Sequence, residues 1–215
     1  MKNRLPRSRK ENKVVVKTLV VGPLATNCYI VSDQATGETC LIDPGSDPSR
    51  IKEVLRKDGL KAKFIINTHG HGDHIAANGA FGIPIYIHRL DSDFLDNPDK
   101  NLSRMFFFGI KSPKASRLLE DGERIGLGNI EFEVIHTPGH TPGSISLKVD
   151  DVVFTGDALF AGSIGRTDFD YGDESLLIKS INARLLTLSD DTVIYPGHGE
   201  PSTIGKEKNS NPFLI

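Results

Sequence analysis

The stretch Thr68-His69-Gly70-His71-Gly72-Asp73-His74 puts three of the chain's seven histidines and one carboxylate within six positions. Two glycines punctuate it and let the backbone turn sharply. In an extended segment alternate side chains share a face, so His69, His71 and Asp73 can converge, and the bend or helix start that follows turns His74 toward them. Neutral imidazole and carboxylate are the ligands that zinc, iron and manganese accept. A histidine-rich surface turn has no need of four such side chains at this spacing. The loop follows Phe64-Ile-Ile-Asn67, a short apolar run that predicts a buried strand. Sites in α/β proteins are built on loops that leave strand ends, so the order strand then histidines is itself informative.

Upstream, the nearly continuous apolar run at 14–21 predicts a strand covered on both faces. Two more short strands are expected at 27–31 and 39–43, and the second breaks at Asp43-Pro44-Gly45-Ser46. Asp43 is read there as a turn former rather than as a support for metal ligands. Ile51, Val54 and Leu55 recur at helical spacing between Pro48 and Asp58 and predict a surface helix ending near Gly59.

Downstream, 84–87 reads as a strand, and the lone His88 after it is left out of the site. No regular period marks 91–114, and the cluster Met105-Phe106-Phe107-Phe108 within it is assigned to the core. A hairpin over 123–127 and 130–135 ends in His136-Thr-Pro-Gly-His140-Thr-Pro-Gly-Ser144. A second, over 144–149 and 152–154, ends in Thr155-Gly156-Asp157. Asp173 caps a helix with Leu177, Ile181 and Leu185 on one stripe, and a last strand at 192–195 runs into Pro196-Gly197-His198-Gly199.

A length of 215 residues suits one domain, expected over 14–215 behind a flexible tail at 1–13 that carries six Lys and Arg and no apolar signal core. Net charge of -2 excludes a bulk attraction to nucleic acid or anionic membrane. The expected partner is a small molecule. Cys28 and Cys40 are too few for a disulfide framework and lack thiolate-site spacing, so reduced thiols and a cytoplasmic setting are expected.

Four times, then, a short strand ends in a Gly-flanked ligand type: at 69–74, 140, 157 and 198. Together these supply five His and two Asp, more than one tetrahedral zinc requires, and two divalent ions are the simplest reading. Their purpose would be to share and acidify a water and to polarise a substrate carbonyl or phosphoryl oxygen. Zinc comes first, with iron and manganese compatible. A closed structural zinc site prefers four ligands and cysteine, which this set does not match.

The His-x-His-x-Asp-His loop followed by His140, Asp157 and His198 resembles the metallo-β-lactamase-fold hydrolase superfamily over about residues 14–203. The resemblance implies an α+β fold, an αβ/βα four-layer sandwich of two mixed β-sheets with outer helices and the metal site at one edge. It implies that His69, His71 and His140 hold one ion, that Asp73, His74 and His198 hold the other, and that Asp157 bridges. Asp73 also takes the catalytic assignment. Gly139-His-Thr-Pro-Gly143, Thr155-Gly-Asp-Ala-Leu-Phe160, Gly165-Arg-Thr-Asp168 and Thr203-Ile-Gly-x-Glu-x-x-x-Asn-Pro-Phe213 resemble the short relatives of type II glyoxalase (hydroxyacylglutathione hydrolase). That branch implies hydrolysis of glutathione-type thioesters, with Arg166 either near the substrate or paired with Asp168 or Asp170. Seventeen residues follow His198, where larger glyoxalases carry a glutathione-gripping helical domain, and this admits a broader thioester substrate. The rival expectation is a persulfide dioxygenase with a single iron on His69, His140 and Asp157. A nuclease of the same fold is disfavoured by the acidic balance.

Overall fold

Successive side chains of the central strands face opposite layers, and this divides the chain between two sheets and three apolar layers. The computed structural model describes residues 14–106 and 109–215; the tail at 1–13 and Phe107 and Phe108 of the aromatic cluster lie outside the described residues. The first sheet holds β1 (Val14–Val21), β2 (Thr26–Asp33), β3 (Thr39–Ile42), β4 (Ala62–Ile66), β5 (Ile85–His88) and β6 (Arg117–Leu119) in sequence order. Its first three strands are antiparallel and β3 to β6 run parallel. The second sheet takes β7 (Arg124–Leu127), β8 (Ile130–His136), β9 (Ile145–Val149) and β10 (Val152–Gly156) as an antiparallel meander. A small hairpin of β11 (Leu159–Phe160) and β12 (Ser163–Ile164) follows, and β13 (Val193–Pro196) then joins β10 in parallel, with β14 (Ser202–Thr203) outside it.

Between the sheets lie Tyr29, Val31, Cys40, Ile42, Phe64 and Ile66 from one and Phe132, Val134, Leu147 and Phe154 from the other. The intervening residues Cys28, Ile30, Leu41 and Ile65 point the opposite way, onto Ile51 and Leu55 of α1 (Pro48–Lys57) and Ile75 of α2 (Gly72–Ile75). Val153 and Ile194 do the same on the second sheet, against Leu177 of α3 (Glu174–Ser180), its continuation through Ile181 and Leu185, and Ile204 of α4 (Ile204–Ser210). This period of two produces the helix–sheet–sheet–helix sandwich, each buried aliphatic or aromatic side chain contributing about 1.5–3 kcal/mol. Asp173 caps α3 as its position predicts, accepting from the Leu176 N–H at 2.8 Å.

Two expectations are corrected. Among the described residues β1 is an edge strand paired only with β2, and Val15 and Val20 are 46% and 49% exposed, so it is not covered on both faces. A continuous apolar run fits a buried strand and an apolar edge equally well. Met105 is 67% exposed and is not core.

β8 and β10 both run antiparallel to β9, so β8, β10 and β13 share one direction, as do β3 and β4 in the other sheet. Backbone hydrogen bonds staple the two sheets where these strands end: Ile145 N to Thr68 O at 2.8 Å, and Asn27 N to Gly197 O at 2.7 Å. Loops from both sheets are thereby held face to face.

Candidate metal centre

The seven residues singled out from the sequence meet at this edge. His69 lies in the bend after β4 and His71 is extended; α2 then begins at Gly72, which places Asp73 and His74 on its single turn. His140 arrives from the loop after β8, Asp157 from the end of β10 and His198 from the end of β13. Three sets of ligand atoms lie within 4.8 Å of one another: His69, His71 and His140; His69, His74 and Asp157; and Asp73, His74 and His198.

Close backbone approach makes room for them. A Cβ on Gly197 would stand 2.1 Å from Asp157 Oδ1 and 2.8 Å from His74 Cε1. One on Gly165 would fall 1.8 Å from the Asp157 carbonyl oxygen. Both positions require glycine for steric reasons.

Hydrogen bonding settles which nitrogen of each ring faces inward. The Thr68 hydroxyl donates to Asp43 Oδ2 at 2.6 Å, so it accepts from His69 Nδ1 at 3.1 Å. His74 Nδ1 donates to Asp43 Oδ2 at 3.0 Å, His140 Nδ1 to the Arg166 carbonyl at 2.7 Å, and His198 Nδ1 to the Leu24 carbonyl at 3.0 Å. Tyr171 Oη gives its proton to the Lys100 carbonyl at 2.8 Å and therefore accepts from His71 Nε2, also at 2.8 Å. Each ring thus spends one N–H outward and turns its other nitrogen to the centre.

The inward nitrogens crowd together. His71 Nδ1 lies 2.9 Å from His140 Nε2 and 3.1 Å from His69 Nε2. His74 Nε2 and His198 Nε2 are 3.3 Å apart. Burial, reinforced by the neighbouring imidazoles, pushes His69 and His71 well below the ordinary histidine range, and burial also lowers His140. Three neutral rings with converging lone pairs have no proton to share, and a cation is what such a donor set accommodates.

The other half is charged. Burial opposes it, yet Asp73, Asp157 and Asp43 together raise His74 to about 10. For His198 too, burial is outweighed by the Asp73 hydrogen bond and the Asp157 charge. Asp73, despite burial, is held below the usual carboxylate range by His74 and His198. Asp157 Oδ1 is buried without a hydrogen bond, 3.4 Å from His74 Nε2. An orphaned carboxylate oxygen between two imidazole sets fits a divalent ion, which would replace the His74 proton.

Residues 21–198 match the metallo-beta-lactamase superfamily. The chain belongs to this superfamily. It is 38% identical over 207 residues to the hydroxyacylglutathione hydrolase GloC of Haemophilus influenzae, covering 93% of this chain and 97% of that protein. The BLEG-1 B3 metallo-beta-lactamase superposes with a TM-score of 0.89 at 38% identity, over 94% of this chain and all of the other. The di-iron-bound form of TTHA1623 gives a TM-score of 0.83, also at 38% identity, over 93% and 100%. Two mixed sheets with outer helices are the fold of this superfamily, as the sequence resemblance implies.

Several members of this superfamily site were not legible in the sequence. Asp43, expected to be a turn former, is 1% exposed and accepts from Thr68 N, Thr68 Oγ1 and His74 Nδ1. It does form the turn, at φ 49°, but its carboxylate also orients two of the rings. Its place at a strand end beside the histidine strand was the available signal. Asp91 is fully buried and accepts from Gly70 N at 2.9 Å, Thr141 Oγ1 at 2.7 Å and Gly143 N at 2.6 Å, tying the 69–74 loop to the 140–144 loop. Burial raises it to about 6 against these hydrogen bonds. It lies in a stretch without periodicity, and nothing local marks it. Thr26, which donates to Asp73 Oδ2 at 2.9 Å, is equally silent.

Arg166 stands at the rim. Its guanidinium is bidentate to Asp168 at 2.9 and 2.8 Å and lies 5.2 Å above the Phe169 ring. Phe169 packs edge-on against His71 at 5.3 Å and His140 at 5.8 Å.

Proposed function

We propose that the chain is a dinuclear metal-dependent hydrolase that cleaves thioesters of the glutathione type. The observation that carries this reading is the convergence of five inward imidazole nitrogens on two carboxylates. His69, His71 and His140 would hold one ion, Asp73, His74 and His198 the other, with Asp157 between them. Zinc suits this shell first; iron and manganese suit it as well, and the di-iron form of a structural relative supports the two-ion filling. When bound, such ions acidify a water and polarise the acyl oxygen.

The remaining work falls to the chain. Asp73, ionised and held by Thr26, orients a water proton at its free oxygen and is the proposed catalytic carboxylate. A thiol of pKa about 8.5 leaves without a strong general acid, so none is needed on the leaving-group side. Arg166 is proposed to receive an anionic substrate group. Its pair with Asp168 is exposed and therefore weak, and a carboxylate on the substrate can replace it. No described helix is long and apolar enough to cross a membrane, and a reducing, cytoplasmic setting suits the unpaired, buried Cys28 and Cys40.

The name of the Haemophilus relative supports a thioester, and that of BLEG-1 raises a β-lactam as the competitor. The test is metal analysis of the purified protein with kcat/KM on S-lactoylglutathione and a chromogenic cephalosporin, and oxygen uptake on glutathione persulfide. Two ions per chain and preferred thioester hydrolysis are expected. Oxygen uptake with one iron per chain would replace hydrolysis by dioxygenation, and a higher kcat/KM on the cephalosporin would move the substrate class to lactams.

A further inference from the structure

Of the five inward-facing rings, His71 is the one oriented by a side chain from a distant loop. His140 and His198 lean on backbone carbonyls, and His69 and His74 on Thr68 and Asp43 beside their own strand. The partner of His71 is Tyr171, in the loop before α3. The Tyr171 ring is packed against Phe94 at 5.0 Å and Phe169 at 5.8 Å. Its hydroxyl has one proton, and the Lys100 carbonyl, an acceptor only, takes it. Toward His71 the same oxygen can only accept, so the ring proton sits on Nε2 and the Nδ1 lone pair points to His69 and His140.

We propose that Tyr171 is a positioning residue: its hydroxyl selects the Nε2–H tautomer of His71 and latches the turn at Lys100 to the 166–172 loop across the mouth of the site. The proposal rests on the reading of His71 as a metal ligand. It adds to that reading a specific side chain whose loss weakens one ion and leaves the other in place.

Tyr171→Phe keeps the ring among Phe94 and Phe169 and removes only the hydroxyl. Chelator competition should then show the affinity for one ion falling about 10- to 100-fold while the second is retained. Cobalt substitution should shift the absorption of the three-histidine position alone, and the melting temperature of metal-free protein should stay with wild type. Long-range ¹H–¹⁵N spectra of metal-free wild type should show His71 protonated at Nε2. A wild-type affinity and cobalt spectrum in Tyr171→Phe, or a wild-type His71 proton on Nδ1, overturns the proposal. His71→Ala separates the two levels. If it loses one ion while Tyr171→Phe binds as wild type, the tyrosine role alone fails; if it keeps both ions, the ligand reading fails and the proposal with it.

Discussion

Five of the seven histidines cross one another, and the other two lie flat. Rings of His69, His71 and His140 meet pairwise at 81° to 86°, and His74 meets His198 at 79°. His88 and His136 stack with centroids 4.2 Å apart and planes 11° from parallel. An imidazole offers its lone pair in the ring plane, so crossed rings can aim their edges at one point and stacked rings cannot. The pair serves instead as a brace: His136 Nε2 donates to the Pro142 carbonyl at 2.9 Å, in the loop that carries His140. His88 closes a turn by accepting from Leu90 N at 3.3 Å. Each group mixes buried rings with a half-buried one, so burial does not tell them apart; ring direction separates them.

That contrast breaks most visibly at Asp157, the carboxylate between the two crossed sets. Asp157→Ala is expected to lose both ions and nearly all turnover, a fall on the order of 10³-fold. Metal content and kcat measured together decide it, and near-normal activity would show that the bridging assignment is wrong. Asp43→Asn comes next. Asparagine tolerates the φ of 49° but cannot accept from Thr68 and His74 as a carboxylate does. Urea unfolding should register about 1–3 kcal/mol lost, and chelator titration about 10- to 100-fold weaker metal binding. Unchanged His74 orientation in that variant would remove Asp43 from the site.

His88 of the stacked pair should respond to pH, not to metal. Burial, then the His136 charge, lowers His88 from an ordinary 6.5 to about 4. A histidine depressed in the folded state resists protonation there, so its contribution is present above 6.5 and is lost as pH falls toward 4. Denaturation midpoints taken between pH 7 and about pH 4.5 should fall less steeply in His88→Phe than in wild type. Equal slopes would place the acid sensitivity elsewhere. The smallest effect belongs to His136→Ala, whose kcat and metal content should stay within about twofold of wild type. Loss of an ion there would mean that the brace reaches the ligands.

Much of this arrangement is legible in the sequence. His69, His71, Asp73, His74, His140, Asp157 and His198 stand out because each is a ligand type set among glycines at a strand end, a local pattern. The α3 stripe and the inner strands were readable from periodicity, and Asp173 from capping chemistry. The edge position of β1 is not legible, because an apolar edge and an apolar interior look alike in one dimension. The full role of Asp43 is not legible, because Asp-Pro-Gly is sufficient as turn chemistry and the second role of its carboxylate depends on Thr68 and His74 folding over it. Asp91 sits in an aperiodic stretch, and its three donors belong to two other loops.

The sequence alone determined which side chains could meet a metal and which strand ends would carry them, since residue type and the period of two are local properties. The tertiary structure decided which nitrogen of each ring turns inward. That choice is made by acceptors far along the chain: Tyr171 for His71, Arg166 for His140 and Leu24 for His198. A ring can rotate about its bonds until a partner from another loop takes one of its protons, and only packing brings that partner within reach.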